Sequence, residues 1–352
     1  MTPELRQKIE DVIARNEQDD DRAVVSELKK LLYENERFAG KDAIPVAELV
    51  ARNLRRLRTE TPQSDVFKTG FQHLDSTLGD LLPGEFVIIG SRPAMGKTTF
   101  LVDLSLNISK TVPLLFVTLD FSEKDLANRF IASLAEVPAH LIRHKTMSET
   151  QWERINAIEK ALAVHQLFVL DSRNTTISTI KAHCEKQIRE NGVKVIVLDY
   201  LQLVSSNRHW RQRVDEVSSV SRELKNMAQE YNVCIIASSS LNRSAEYRFG
   251  TEGKRPQLAD LRESGAIEQD ADKVILLHRP EYFGIVEDDQ GNDLSGIAEF
   301  IVAKNRNGAT GHVFLPFDTE IPQFKNAVNV KEDFTFSLNR LKELDDEPPF
   351  PF

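Results

Sequence analysis

Apolar residues recur along this chain with two different rhythms, and the change from one to the other divides it. Residues 4–16 place Leu5, Ile9, Val12 and Ile13 at helical spacing, and 24–32 do the same with Val24, Val25, Leu28, Leu31 and Leu32. A third amphipathic stretch, 46–57, carries Val46, Leu49, Val50, Leu54 and Leu57 beside a basic strip of Arg52, Arg55, Arg56 and Arg58, so its apolar face needs a partner. The segment TETPQSD then reads as a linker, with a boundary near residue 62. From Val66 onward short apolar runs alternate with amphipathic ones. The runs predict strands at 86–90, 113–119, 166–170, 194–199, 232–238 and 273–278, then a pair at 297–303 and 311–316. Helices are predicted between them at 97–109, 123–134, 149–164, 176–190 and 214–230. This alternation predicts an α/β fold, a mostly parallel twisted sheet with helices on both faces, behind a short helical N-terminal extension. The expected organisation is an extension over 1–62, an α/β domain over 63–330 and a charged, proline-rich tail over 331–352.

The first strand of that domain runs into SRPAMGKTTF, residues 91–100, and then into the helix that begins Leu101-Val102-Asp103. A buried strand that turns through small residues into a helix is the context of a phosphate-binding P-loop. Backbone N–H groups of Ser91, Arg92, Pro93's neighbours, Ala94, Met95 and Gly96, together with the helix opening at Lys97, Thr98 and Thr99, would converge on phosphate oxygens. Lys97 adds a positive charge there, and Thr98 would place its hydroxyl on a magnesium ion bridging the outer phosphates of ATP. The pattern departs mildly from the usual one, with Ser91 in the first loop position and Gly90 just ahead of it.

Two carboxylates end other apolar strands. Asp199 closes Val195-Ile196-Val197-Leu198, a Walker B arrangement in which an acid at the carboxyl end of a neighbouring strand helps hold the magnesium. Asp120 follows Leu114 to Leu119, where an acid could orient and deprotonate an attacking water; equally, Asp120 or Ser122 could cap the helix that begins near Glu123.

Composition narrows the picture only a little. Of 352 residues 28% are charged and 41% apolar, as in an ordinary soluble domain, and the net charge of -9 argues against a surface coated with basic residues while leaving room for a local basic channel. The two cysteines, Cys184 and Cys234, have no metal-type spacing. The charged start MTPELRQKIEDVIARNE is unlike a signal peptide, and no apolar run reaches the ~20 residues that span a bilayer, so a cytoplasmic protein is expected.

Six segments occur in an order that resembles a known family: TGFQHLDSTLGDLLPGEFVIIGSRPAMGKT, LDFS, VIVLDYLQLV, SLNRSAEYR, LADLRESGAIEQDAD and AKNRNG. Across residues 66 to about 325 they are similar to the RecA-like motor domain of the DnaB-type replicative DNA helicases, and DLRESGAIEQDAD and KNRNG set the chain apart from recombinase and circadian-clock relatives. The resemblance implies an ATP-hydrolysing, bacterial or phage-encoded DNA helicase of replication, assembled as a ring, likened to a hexamer, around single-stranded DNA. Lys97, Thr98 and Asp199 match its nucleotide and magnesium residues, and Asp120 falls where the family has a catalytic glutamate. Lys304 and Arg306 match the lysine and arginine finger that reach the nucleotide of a neighbouring subunit, although AKNRNGATG by itself reads as a solvated hairpin turn. Arg262, Glu263 and Gly265 match the loop that grips the DNA backbone. Arg208, Arg211 and Arg213, with Trp210 among them, form a second basic loop that could be a DNA contact or a solvated face.

The chain departs from that family at two positions that touch catalysis. Asp120 is one methylene shorter than the glutamate, and Ser240 stands where a sensor glutamine is expected, so slow or poorly coupled hydrolysis with intact ATP binding is predicted. These departures also admit an alternative, a nearly inactive relative that binds ATP and DNA and regulates or caps a helicase ring. The ~60 residues ahead of the motor are too few for the family's N-terminal collar, so primase docking by the usual surface is not expected, whereas 46–57 matches its linker helix. The C-terminal tip, DDEPPFPF ending in Phe352, is similar to the tips by which single-stranded-DNA-binding proteins engage replication partners; a plain acidic tail is the other reading.

Overall fold

The computed structural model describes residues 11–12, 43–59, 66–207, 210–242, 248, 253–261, 265–287 and 291–326. The chain divides into two compact units, Met1–Ser64 and Asp65–Phe352. In the first, helix α1 spans Val46–Thr59 and leaves Val46, Leu49, Val50 and Leu54 exposed. The helices expected at 4–16 and 24–32 lie outside the described residues apart from Asp11 and Val12, which are helical. The tail over 331–352 lies outside them too.

Among the described residues the second unit is built on nine strands: β1 (Phe86–Ser91), β2 (Leu114–Thr118), β3 (Leu167–Asp171), β4 (Val195–Asp199), β5 (Cys234–Ser240), β6 (Lys273–His278), β7 (Ile297–Asn305), β8 (Gly311–Asp318) and β9 (Gln323–Phe324). They lie in the order β3-β2-β4-β5-β1-β6-β7-β8-β9. The first six positions in that order are parallel, and β7, β8 and β9 continue the sheet antiparallel. β1, β2, β4 and β6 are buried along their whole length, as continuous apolar runs must be when helices cover both faces. Alternation along β1 splits its side chains: Val87 and Ile89 enter one core, Phe86 and Ile88 the other.

The first core is closed by α2 (Gln72–Leu78), α3 (Lys97–Ser109) and α4 (Glu123–Ala135), through Leu74, Leu78, Phe100, Leu104, Leu126 and Phe130. α5 (Ala139–His144), α6 (Glu149–Asn156) and α7 (Ile158–Leu162) follow α4. The second core is closed by α8 (Ile177–Asn191), α9 (Arg213–Tyr231) and α10 (Gly265–Asp270), through Ile180, Cys184, Val220, Leu224, Met227 and Ile267. The expected α/β fold is thus the observed one. The single helix expected at 149–164 is instead two, separated at Ala157, because only Ile158 of that stretch is buried and no continuous apolar stripe holds the helix together. α2, α5, α10 and β9 carry too little periodic sequence to be read from pattern alone.

Candidate active site

Parallel strands bring their carboxyl ends to one edge of the sheet, and the register fixes which residues meet there. Ser91 pairs with Ser240, and Thr118 pairs with Asp199, so β1, β2, β4 and β5 end in one row. Into this row opens a cavity of about 730 Å³, the size of an ordinary small-molecule site. It is lined by the loop Arg92, Pro93, Ala94 and Gly96, by Lys97, Thr98 and Thr99 at the start of α3, and by Asp120, Asp199 and Ser240 from the neighbouring strand ends.

The loop turns with positive φ at Ala94 (65°) and Gly96 (93°). Gly96 N-caps α3 without any side chain covering the helix opening, so the first N–H groups of that helix remain available to an anion. A Cβ at Gly96 would also lie 3.1 Å from the Phe324 ring, so β9 backs the loop closely enough to demand glycine. Met95 and Ser91 point inward and are buried, and the Arg92 guanidinium donates to the Leu241 carbonyl at 2.8 Å, tying the loop to the end of β5.

Lys97 stands over the Tyr200 ring, 5.1 Å from its centroid. Burial pushes its ammonium below the ordinary lysine range, while Asp199 and Asp120 pull the other way. An ammonium already stripped of much of its water, with two acids near enough to favour its charged form, is suited to binding phosphate oxygens. Asp199 is buried, and its two oxygens accept from Thr98 Oγ1 at 2.6 Å and from Ser238 Oγ. Among the described residues no cluster of three or more His, Cys, Asp or Glu could hold a metal by itself. Two hard oxygen donors on adjacent elements, Thr98 and Asp199, do fit a magnesium ion that takes its remaining ligands from phosphates and water.

At the end of β2 the capping question is resolved. Ser122 caps α4 by accepting from the Asp125 N–H at 3.2 Å, which leaves Asp120 exposed on the wall of the cavity. Ser240 also reaches the wall, and the Gln202 side chain holds the end of β5 in place, donating to Ser239 Oγ at 2.8 Å and accepting from the Ser240 N–H at 3.2 Å.

Several residues in the cavity had no local sequence signal. Arg129, from the second turn of α4, lies over the Phe121 ring at 4.3 Å, and burial lowers its pKa against the pull of Asp199. Arg279 lies over Phe317 at 4.1 Å, and Tyr282, Thr319 and Pro322 line the same cavity. Only folding brings these residues, from distant parts of the chain, to the P-loop. Tyr200, adjacent to Asp199, is the one whose place could have been inferred.

Lys304 and Arg306 are elsewhere. β7 runs antiparallel to β6, with Lys304 opposite Val274, so both cations lie where β6 and β1 begin. The six residues of β1 separate that edge from the P-loop, roughly 20 Å at about 3.3 Å per residue. Lys304 donates to the Glu268 carbonyl at 2.5 Å, and Arg306 donates to that of Gln269. Burial and the adjacent Arg306 charge push the Lys304 ammonium down.

Of the residues matched to DNA contact, Gly265 is the exposed first residue of α10, while Arg262, Glu263 and Arg208 lie outside the described residues, as does Phe352. Arg211 is exposed; Arg213, the first residue of α9, is paired with Glu216 and the Gln202 carbonyl. No helix among the described residues is long and apolar enough to cross a membrane.

Comparison with known proteins identifies the family. The family model described as the DnaB-like helicase C terminal domain matches residues 67–326. The replicative DNA helicase DnaB of Leifsonia xyli subsp. xyli is 36% identical over 289 residues, covering 81% of this chain and 62% of the relative. That of Haemophilus influenzae is 36% identical over 269 residues, covering 75% of this chain and 56% of the relative. The chain therefore spans less than two thirds of the length of these relatives. Among solved structures, the ATPase domain of G40P superposes with a TM-score of 0.72 at 30% identity, covering 81% of this chain and 100% of that one. A DnaB-like replicative helicase solved to show its interactions with primase gives 0.77 at 28% identity, covering 92% of this chain and 76% of that one. A match that takes in the P-loop, the strand-end acids and the β7–β8 hairpin in a single span places the chain in the DnaB-like helicase C-terminal domain family.

Proposed function

We propose that this protein is a replicative DNA helicase motor, a magnesium-dependent ATPase that assembles as a ring, translocates on single-stranded DNA and separates the duplex ahead. Lys97 and the opening of α3 bind the phosphates of ATP, and Thr98 and Asp199 would hold magnesium, which would supply positive charge to offset that of the phosphates. Asp120 orients the attacking water. Arg129 adds a cation to the same wall, and Arg279, with Phe317 and Tyr282, offers a stacking surface for the rest of the nucleotide. The observation that carries the reading is the ~20 Å between the P-loop and the cations Lys304 and Arg306, worked from the six residues of β1. At that distance they do not reach the P-loop of their own chain, so in this reading a second copy presents them, and repetition of that contact closes a ring, taken as six copies by analogy with the family. Single-stranded DNA would pass Arg262, Glu263 and Gly265, with Arg208, Arg211 and Arg213 as a second basic contact, held by backbone charge rather than base sequence. Phe352 at the C-terminal tip is a candidate contact for another replication protein.

The test is mass measurement with ATP and magnesium, followed by strand separation on a forked duplex. The reading expects a closed oligomer, unwinding by the wild type, and loss of unwinding in Lys97→Ala. A monomer that hydrolyses ATP unaided by neighbours would refute it.

A further inference from the structure

The finger cations lie beside a buried acid that no step above uses. Asp272 occupies the turn between α10 and β6 and is buried. Its backbone is held on both sides: its N–H donates to the Phe86 carbonyl at 2.8 Å, and its carbonyl accepts from the Arg306 N–H at 2.9 Å. Its carboxylate is divided in the same way. Oδ2 accepts from the Phe86 N–H at 2.7 Å and from Lys225 Nζ at 2.6 Å, and Lys225 is itself anchored on the Gly84 carbonyl at 2.9 Å. Oδ1 faces the Arg306 guanidinium at 3.4 Å.

With one oxygen saturated by two donors, the carboxylate cannot rotate, so the direction of the other is set by the start of β1. The Arg306 side chain is 46% exposed and would otherwise sample many rotamers. Here it is bracketed by Asp272 Oδ1 and the Gln269 carbonyl, while Lys304 beside it reaches the Glu268 carbonyl. The C-terminal carbonyls of α10 and one fixed carboxylate oxygen thus hold both cations on one edge of the molecule, where the unpaired helix carbonyls favour positive charge.

We propose that Asp272 is a positioning residue for the ATPase reaction of a neighbouring copy: it aims Arg306, and with it Lys304, across the subunit contact. The inference rests on the reading that these cations act in trans. A residue that only ties β1 to β6 would affect its own chain; one that aims the finger affects the next site.

The experiment compares DNA-stimulated ATP turnover of the full-length Asp272→Asn and Arg306→Ala variants, each alone and mixed in equal amounts with Lys97→Ala. Asp272→Asn alone is expected to lose about 10²-fold in kcat, the cost of a misplaced catalytic group, with little change in KM. Mixing with Lys97→Ala restores turnover well above either parent, because the Lys97→Ala copies lend a correctly held Arg306 to the intact P-loops of the variant. Asp272→Asn leaves Lys225 without its buried counter-charge; if the single variant is unstable, the double variant Asp272→Asn/Lys225→Met decides. Recovery with Arg306→Ala but none with the Asp272 variant would overturn the assignment of Asp272. No recovery with either would overturn the trans-finger reading and this inference with it. Wild-type turnover by Asp272→Asn would overturn the assignment alone.

Discussion

Replacing Asp103 by asparagine will make the protein less sensitive to rising pH. Asp103 lies on α3, six residues beyond Lys97, and is buried. Its oxygens accept from Ser133 Oγ of α4 at 2.7 Å and from the Phe324 N–H of β9 at 2.8 Å, so it pins to the P-loop helix the strand whose ring packs against Gly96. Burial pushes its carboxyl from 3.8 up to about 7, against the pull of those two donors. Between these values the folded chain keeps a proton that the unfolded chain has released. Stability from this group is therefore complete below the unfolded value and is lost as pH rises through the folded one. Three units of displacement correspond to an upper bound of roughly 4 kcal/mol, with a slope of at most about 1.4 kcal/mol per pH unit. Asparagine has the same shape, can accept from Phe324 and donate to Ser133, and does not titrate. Urea midpoints of wild type and variant, measured from about pH 5 to about pH 8, will give a difference that grows in the variant's favour up to about pH 7 and then levels. A difference independent of pH across that range would show that Asp103 is already ionised in the fold, and the reasoning would fail.

Asp120→Glu, which moves the carboxylate one methylene toward the phosphates, will raise DNA-stimulated turnover by about 10-fold or more; unchanged or lower turnover in a steady-state ATPase assay would remove the case that the native site is slow. Arg129→Ala deletes a cation from the cavity wall and will weaken nucleotide binding by about 10-fold or more in a titration with a fluorescent ATP analogue, while Phe121 and the cap at Ser122 keep α4 folded. Gly96→Ala places a methyl group 3.1 Å from Phe324 at a φ of 93°, so a destabilisation of about 1–3 kcal/mol and loss of nucleotide binding are expected by thermal unfolding with and without ATP.

Much of this was legible along the chain. The strands with continuous apolar centres, expected at 86–90, 194–199 and 273–278, match β1, β4 and β6 to within one residue at either end, because burial on both faces leaves no polar position inside so short a run and confines Lys273, His278 and Asp199 to the strand ends. The P-loop could be read because all its parts are neighbours in sequence. The broken helix at 149–164 could not, because its few apolar positions meet a small satellite core that only folding creates around Val137 and Ile158. Ser122, rather than Asp120, is the cap, a choice decided by backbone angles that two polar residues either side of Phe121 do not reveal.

The layered fold, the phosphate loop and the acids at the strand ends follow from the order of residues along the chain, since each depends on periods and spacings of a few residues. The tertiary structure alone decided how strand order groups Lys97, Asp120, Asp199, Arg129 and Arg279 around one cavity while carrying Lys304 and Arg306 to the opposite edge beside Asp272. Those placements depend on which strands pair and in which direction, a choice made by packing between segments far apart in the chain, as Val87 is from Lys273, and invisible to any local pattern.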